Sequence, residues 1–232
     1  MIEKRAYPPI GEQLWDHIFF MHWQVDEASL QDYIAHPFQV DSFQGSAWIT
    51  VVCFVAKNSR ISLLPIDLID QAIQINVRTY VTCPNQREAG VYFLDVNINN
   101  RLAALGAQRA FNLPFHYVEA ELISEGACKT YKSSLTDESI LKVTLQATGK
   151  TDQSELAHFL TERYTIWHHK GNRLIKIPIT HSHWQVKEAE AIYCEQDLHP
   201  VIANKEPDLI HFAGEKIAYL YPYETVGFYY KE

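Results

Sequence analysis

The chain has 232 residues, of which 47% are hydrophobic, 12% aromatic and 21% charged, a balance that excludes a disordered chain and suffices to bury roughly 70% of the unfolded surface. Its formal net charge of −8 excludes nucleic acid and anionic membranes as general partners, because neither is steered to an acidic surface. Cys53, Cys83, Cys128 and Cys194 are scattered without a Cys-x-x-Cys pair, which excludes a zinc knuckle or redox motif and points to reduced, mostly buried thiols.

The opening MIEKRAYPPI carries charges where a signal peptide begins its apolar region, and no segment reaches the roughly 18 consecutive apolar residues of a membrane helix, so a cytoplasmic chain is expected. Asp26 caps a short helix in DEASLQDYIA, where Leu30, Tyr33 and Ile34 share a face, and His36-Pro37 ends it. A turn at Gly45 leads into AWITVVCFVA, an apolar run rich in β-branched residues that reads as a central strand buried on both faces. In QINVRTYVT, Ile75, Val77, Thr79 and Val81 alternate with Gln74, Asn76, Arg78 and Tyr80, giving one greasy and one hydrogen-bonding face. CPNQREAG then turns the chain into VYFLDVN, an antiparallel partner.

RLAALGAQRAF reads as a helix capped at Asn99 or Asn100 and closed off before Pro114. HYVEAELI and ACKTYKSS form a hairpin across Ser-Glu-Gly, and SILKVTLQAT alternates Leu141, Val143, Leu145 and Ala147 with polar residues. SELAHFLTERY is a helix capped by Ser154 or Asp152; strands near 165–169 and 174–177 flank Lys170-Gly171-Asn172, and HWQVKEAEAIYCE follows. From residue 197 the local signal is weak, interrupted by Pro200, Pro207 and Pro222, and open to an added strand or an interface. No linker, repeat or biased tract divides residues 1–232, so one α+β domain with a large antiparallel sheet is the economical reading.

The polar face Asn76, Arg78, Tyr80, with Arg109 and His116 downstream, is the strongest local feature. A guanidinium held among strands presents a rigid fork for a carboxylate, supplied either by the protein, from Asp95, Glu119 or Glu162, or by a ligand. His168-His169 and His181-x-His183 invite a metal reading, but no carboxylate or cysteine stands at a supporting spacing, so neither a metal nor a cofactor is expected. Gly-x-Ser-x-Gly, Gly-x-Gly-x-x-Gly and the phosphate-loop pattern are missing, and Ser46 beside Gly45 has no nearby base. Trp15, Trp23, Trp48, Trp167 and Trp184 suit a core or an apolar pocket wall.

The segments WDHIFFMHWQVD, GSAWITVVCF, INVRTYV, GVYFLDVN, ALGAQRAFNLPF, FLTERY and HSHW, in that order from about Leu14 to about Glu195, resemble the YqjF-like family of uncharacterised bacterial proteins. That family is similar to the acetoacetate decarboxylase-like superfamily. The resemblance implies a strongly curved antiparallel sheet that closes into a barrel-like or cone-like cavity, with a few flanking helices. Acetoacetate decarboxylases carry a Gly-Arg-Glu segment followed by Pro-Lys-Lys, the first lysine forming a Schiff base and the second lowering its pKa. Against that pattern Gly106, a shifted Arg109 and Pro114 are kept, the lysines become Phe115 and His116, and the site glutamates fall near Thr50 and Gln74.

Two functions follow from this. A binding protein would hold a small carboxylate on Arg78 or Arg109, with Asn76, Tyr80, Tyr92, Phe115 and Tyr117 lining the site. An enzyme would use His116 as general acid or base in lyase, hydratase or isomerase chemistry on a small carboxylate. Binding is the preferred reading, and a homo-oligomer is left open. Because Phe115 has no amine, borohydride with acetoacetate or pyruvate is expected to trap no adduct at neutral pH; an adduct mapped to a lysine inside the cavity overturns this. Dialysed protein is expected to hold no stoichiometric zinc or iron, and elemental analysis giving about one metal per chain, lost on substituting His181 or His183, overturns that.

Overall fold

A computed structural model describes residues 7–61, 67–135 and 138–229. Long apolar and alternating runs become long strands. β1 (Gly11–Val25) precedes α1 (Glu27–Gln31) and the short β2 (Gln39–Val40), and β3 (Ala47–Ile61), β4 (Asp67–Thr82) and β5 (Gly90–Ile98) follow as an antiparallel meander. Asp26 accepts from Ser29 N–H at the start of α1, as its short polar side chain dictates. α2 (Arg101–Phe111) opens on Asn100, whose side chain accepts from Ala103 N–H, and ends where Asn112 turns left-handed before Pro114.

HYVEAELI divides. β6 (Phe115–Tyr117) runs parallel to β5, and the hairpin proper is β7 (Glu119–Glu125) with β8 (Cys128–Leu135). After β9 (Glu138–Thr151) come α3 (Glu155–Thr161), β10 (Thr165–Lys170), β11 (Arg173–Thr180) and β12 (Lys187–Gln196). The tail with weak local signal supplies β13 (Leu209–Ala213), β14 (Lys216–Leu220) and β15 (Glu224–Phe228).

Seven strands close a barrel in the order β1, β3, β4, β5, β10, β11, β14 and back to β1. β5 meets β10 in parallel at Val91 and Ile166, and the other six contacts are antiparallel. One strand makes closure possible by changing partner. Gly11–Trp15 of β1 pairs with β14, while Ile18–His22 pairs with β13 and so starts a wing that continues through β12, β9, β8 and β7. The switch falls at a register irregularity between Asp16 and Phe19, where His17 takes a positive φ of 51°. It is tied from three sides: Lys57 Nζ and His17 N–H donate to the Asp16 carboxylate at 2.6 and 2.7 Å, and the Tyr131 hydroxyl donates to the His17 carbonyl at 2.6 Å.

The wing covers the outer face of the barrel wall. Tyr131, Leu141, Val143 and Leu145 join Met21, Val51, Cys53, Ile75 and Val77 in one buried cluster, each large aliphatic side chain there contributing about 1.5–3 kcal/mol. The greasy face expected for 74–82 is therefore the outward one, and its polar partner face looks into the barrel. Among the described residues no helix is long and apolar enough to cross a membrane.

Gly90 lies where β5 meets β10 most closely: a Cβ there would stand 2.5 Å from the Thr165 carbonyl oxygen and 2.7 Å from Trp167 Cδ1. Gly106 sits on α2 with nothing within 4 Å of a Cβ. Gly90→Ala is expected to lower unfolding free energy by about 3 kcal/mol, whereas Gly106→Ala raises it by about 0.5–1 kcal/mol; urea denaturation of the two variants checks both signs.

Candidate interior anion site

Period-two alternation puts Gln74, Asn76, Arg78 and Tyr80 on one face of β4. Tyr80 packs in one cluster with Ile166 of β10 and Ile175 and Ile177 of β11, strands that do not neighbour β4 in the sheet. Such contacts are made only across the barrel interior. The face is also cross-strand from Thr50, Val52 and Phe54 of β3 and from Val91, Phe93, Val96 and Ile98 of β5.

Arg78 is the charge at the centre of this face. Its Nη2 donates to the Leu160 carbonyl of α3 at 3.1 Å, and the guanidinium carbon lies 5.6 Å from the centre of the Phe20 ring. Its Nε is buried without a hydrogen-bond partner. Burial pulls its pKa below the usual arginine value, opposed in part by the Tyr80 oxygen beside it. No carboxylate among the described residues pairs with it. Asp95 is taken by His116 and Asn97, Glu162 by Tyr164, His183 and the Trp184 amide, and Asp41 by Arg163 at 2.9 Å; Glu119 is exposed on β7.

From the Tyr80 hydroxyl a buried chain of hydrogen bonds crosses the interior. Tyr80 donates to the Leu160 carbonyl at 2.7 Å and meets Thr50 Oγ1 at 2.6 Å; Thr50 meets His22 Nδ1 at 2.8 Å; His22 Nε2 meets His211 Nδ1 at 3.0 Å; and His211 Nε2 meets Asp152 Oδ2 at 2.9 Å. Both histidines have 0% exposure. Burial, then the nearby His211 and Arg78, hold the His22 pKa well below its ordinary value, so this ring is neutral. Beside Arg78, the amide Nε2 of Gln74 donates to Asn76 Oδ1 at 2.7 Å.

An aromatic rim continues outward from Phe20. The Trp184 ring centre lies 5.1 Å from Phe20, 6.3 Å from Trp15 and 4.6 Å from His181. His181 donates from Nδ1 to the Ser182 carbonyl, and burial pushes its pKa down to about 4. The Glu162 carboxylate anchors this edge, accepting from the Tyr164 hydroxyl and from Trp184 N–H at 2.6 Å.

Of the residues singled out in the sequence, Asn76, Arg78 and Tyr80 share the interior face, and Phe115 packs in the same apolar cluster as Tyr80. The others are elsewhere. Tyr92 faces outward against Phe38, Trp167 and His168, because it is one residue out of phase with Phe93, the partner of Arg78. Tyr117 lies at the α2 end of the sheet under the Arg101 guanidinium at 4.5 Å. Arg109, the alternative carboxylate anchor, is exposed in the last turn of α2. His116 projects from the opposite face of β6 to Phe115, its Nδ1 2.6 Å from Asp95, with 58% of the side chain exposed. The structure does not bring Arg109 or His116 to Arg78.

His22, Thr50, His211 and Asp152 are the functional candidates that sequence patterns miss as a group. The His22–His211 contact joins positions 189 apart. The local hint was a histidine inside the apolar run FFMHW. Among the described residues no three His, Cys, Asp or Glu side chains are grouped so as to hold a metal ion.

Comparison with known proteins supplies the family. The chain is 28% identical over 222 residues to the uncharacterised protein YqjF of Bacillus subtilis strain 168, covering 92% of this chain and 91% of that one. Among solved structures, acetoacetate decarboxylase from Legionella pneumophila superposes with a TM-score of 0.71 at 13% identity, over 99% of this chain and 93% of that one. The enduracididine biosynthesis enzyme MppR, complexed with pyruvate, gives 0.68 at 8% identity, over 98% and 95%. Identities this low establish the shared fold alone, the acetoacetate decarboxylase-like barrel implied by the resemblance. The sequence model of DUF2071, described as an uncharacterised conserved protein, matches residues 12–216, from the first barrel strand to the start of β14, and the chain belongs to that family.

Proposed function

We propose that the barrel interior binds a small organic carboxylate, with Arg78 as its anchor and Tyr80 and Asn76 beside it. The observation that carries this reading is the state of Arg78. The half-buried Arg78 has a buried Nε with no acceptor and no paired carboxylate among the described residues; leaving such a donor unpaired is costly, and its fork is matched by a planar carboxylate. The sequence left an internal ion pair open as the alternative, and the carboxylates weighed for that role are engaged elsewhere or exposed. The pyruvate complex of MppR, on the same fold, makes pyruvate a sensible first probe. Nothing in this reading uses His116, which stands on the outer face.

Titration with pyruvate, acetate and benzoate, followed by tryptophan fluorescence, is expected to show saturable binding of at least one of the three. Arg78→Met should weaken that binding about tenfold to a hundredfold, the effect of losing a charged hydrogen-bonded contact. It should change folding stability by less than about 1 kcal/mol, whereas Arg163→Met, which strands Asp41, should cost about 3 kcal/mol. Arg109→Ala and Arg87→Ala should alter neither quantity. If wild-type protein binds none of the probes, or Arg78→Met binds as well as wild type, the anchor is wrong.

A further inference from the structure

We infer that the interior is a proton-donating site, in which an imidazolium stored at His211 is delivered through His22 and Thr50 to Tyr80, the donor to a ligand held on Arg78. The ligand half of this statement rests on the anion reading above; the stored proton does not.

The charge follows from counting hydrogens along the chain. Tyr80 has one hydroxyl proton, and the Leu160 carbonyl 2.7 Å away must receive it, since two lone-pair oxygens at that distance repel. Thr50 therefore donates its proton to the Tyr80 oxygen and accepts from His22 Nδ1–H. A neutral His22 protonated on Nδ1 presents Nε2 as an acceptor, which only the Nδ1–H of His211 can fill. His211 Nε2 then faces Asp152 Oδ2 at 2.9 Å, and a carboxylate only accepts. Both nitrogens of His211 thus carry protons. The proton sits on the ring rather than on Asp152: burial works to raise the Asp152 pKa, but the hydrogen bonds from His211 and from Ser154 N–H hold it below the ordinary carboxylate value. The other charges around the pair are Lys150, bonded to Glu188 on β12, and Arg78 on the far side of His22.

Delivery balances. When Tyr80 gives its proton to a basic atom of the ligand, the Thr50 proton passes to Tyr80, the His22 Nδ1 proton to Thr50 and the His211 Nδ1 proton to His22 Nε2. His211 is left neutral, still donating from Nε2 to Asp152. The Asp152 carboxylate, with 16% of its side chain exposed, accepts from His211 Nε2–H before and after the transfer. The chemistry this serves is protonation of a carboxylate's substituent next to Arg78. Tyr80 is the catalytic residue of this proposal, and His22, His211 and Thr50 are relay and positioning residues.

The test uses unliganded, histidine-labelled protein, so that it is independent of whether any carboxylate binds. Nitrogen-15 NMR at pH 7 is expected to show both ring nitrogens of His211 protonated and His22 protonated on Nδ1 alone. Tyr80→Phe removes the hydroxyl that orients the chain; Thr50 is then free to donate to His22, the polarity reverses, and His211 becomes a neutral ring with its proton on Nε2. Thr50→Val should neutralise His211 as well, while Thr50→Ser, which keeps the hydroxyl, retains the imidazolium and serves as the folding control. A wild-type His211 carrying one proton, or a doubly protonated His211 that persists in both Tyr80→Phe and Thr50→Val, overturns the proposal.

Discussion

The bend in β1 at Asp16 and His17 is the constraint on which the interior depends. A strand that kept one partner along its length would extend a sheet; this one gives Gly11–Trp15 to β14 and Ile18–His22 to β13. The first pairing closes the barrel, and the second brings His211 opposite Phe20, beside His22. The left-handed turn at His17 is an uncommon conformation for a non-glycine residue. It is held by the Asp16 carboxylate, by Lys57 and by the buried Tyr131 hydroxyl of the wing, so the wing that covers the outer wall also secures the bend that shapes the interior.

Closure makes the polar face of β4 expensive. On an open sheet Arg78 and Tyr80 would be solvated; inside a barrel each donor and acceptor needs a partner. Most have one. Leu160, at the end of the short helix α3, offers its carbonyl to both Arg78 and Tyr80, and the chain from Thr50 to Asp152 leaves neither histidine unbonded. The Arg78 Nε and the Trp48 Nε1 in the cluster of Tyr80 have none, and the open position on the guanidinium supports the proposed anion site. Phe115 takes the interior direction on β6, and the alternation that points it inward points His116 out to Asp95.

Within the site, what could be read in advance was what a single strand contains. Asn76, Arg78 and Tyr80 lie two residues apart, so their common face follows from strand geometry alone. The proposed partnership with Arg109 and His116 did not follow, because closeness in sequence across a helix, a turn and a new strand says nothing about which side of each element a residue takes. Arg109 fell on the solvent side of α2 and His116 on the outer face of β6. The histidine relay was illegible for the complementary reason: its contacts join positions 28, 189 and 59 apart, and no local pattern reports them.

By itself the sequence determined the helix cap at Asp26, narrowed the other two to Asn99 or Asn100 and to Ser154 or Asp152, and determined the long strands of the meander and the two-faced character of β4, since each depends on neighbours within a few residues. Tertiary structure decided which face of β4 became the interior. That choice required β14, a five-residue strand in a tail broken by prolines and with little alternation of its own, to reach back and pair with the beginning of the chain. Short strands of this kind are held by the edges they join rather than by their own propensity, so closure, and with it the interior placement of Arg78, became visible only when both ends of the chain were in place.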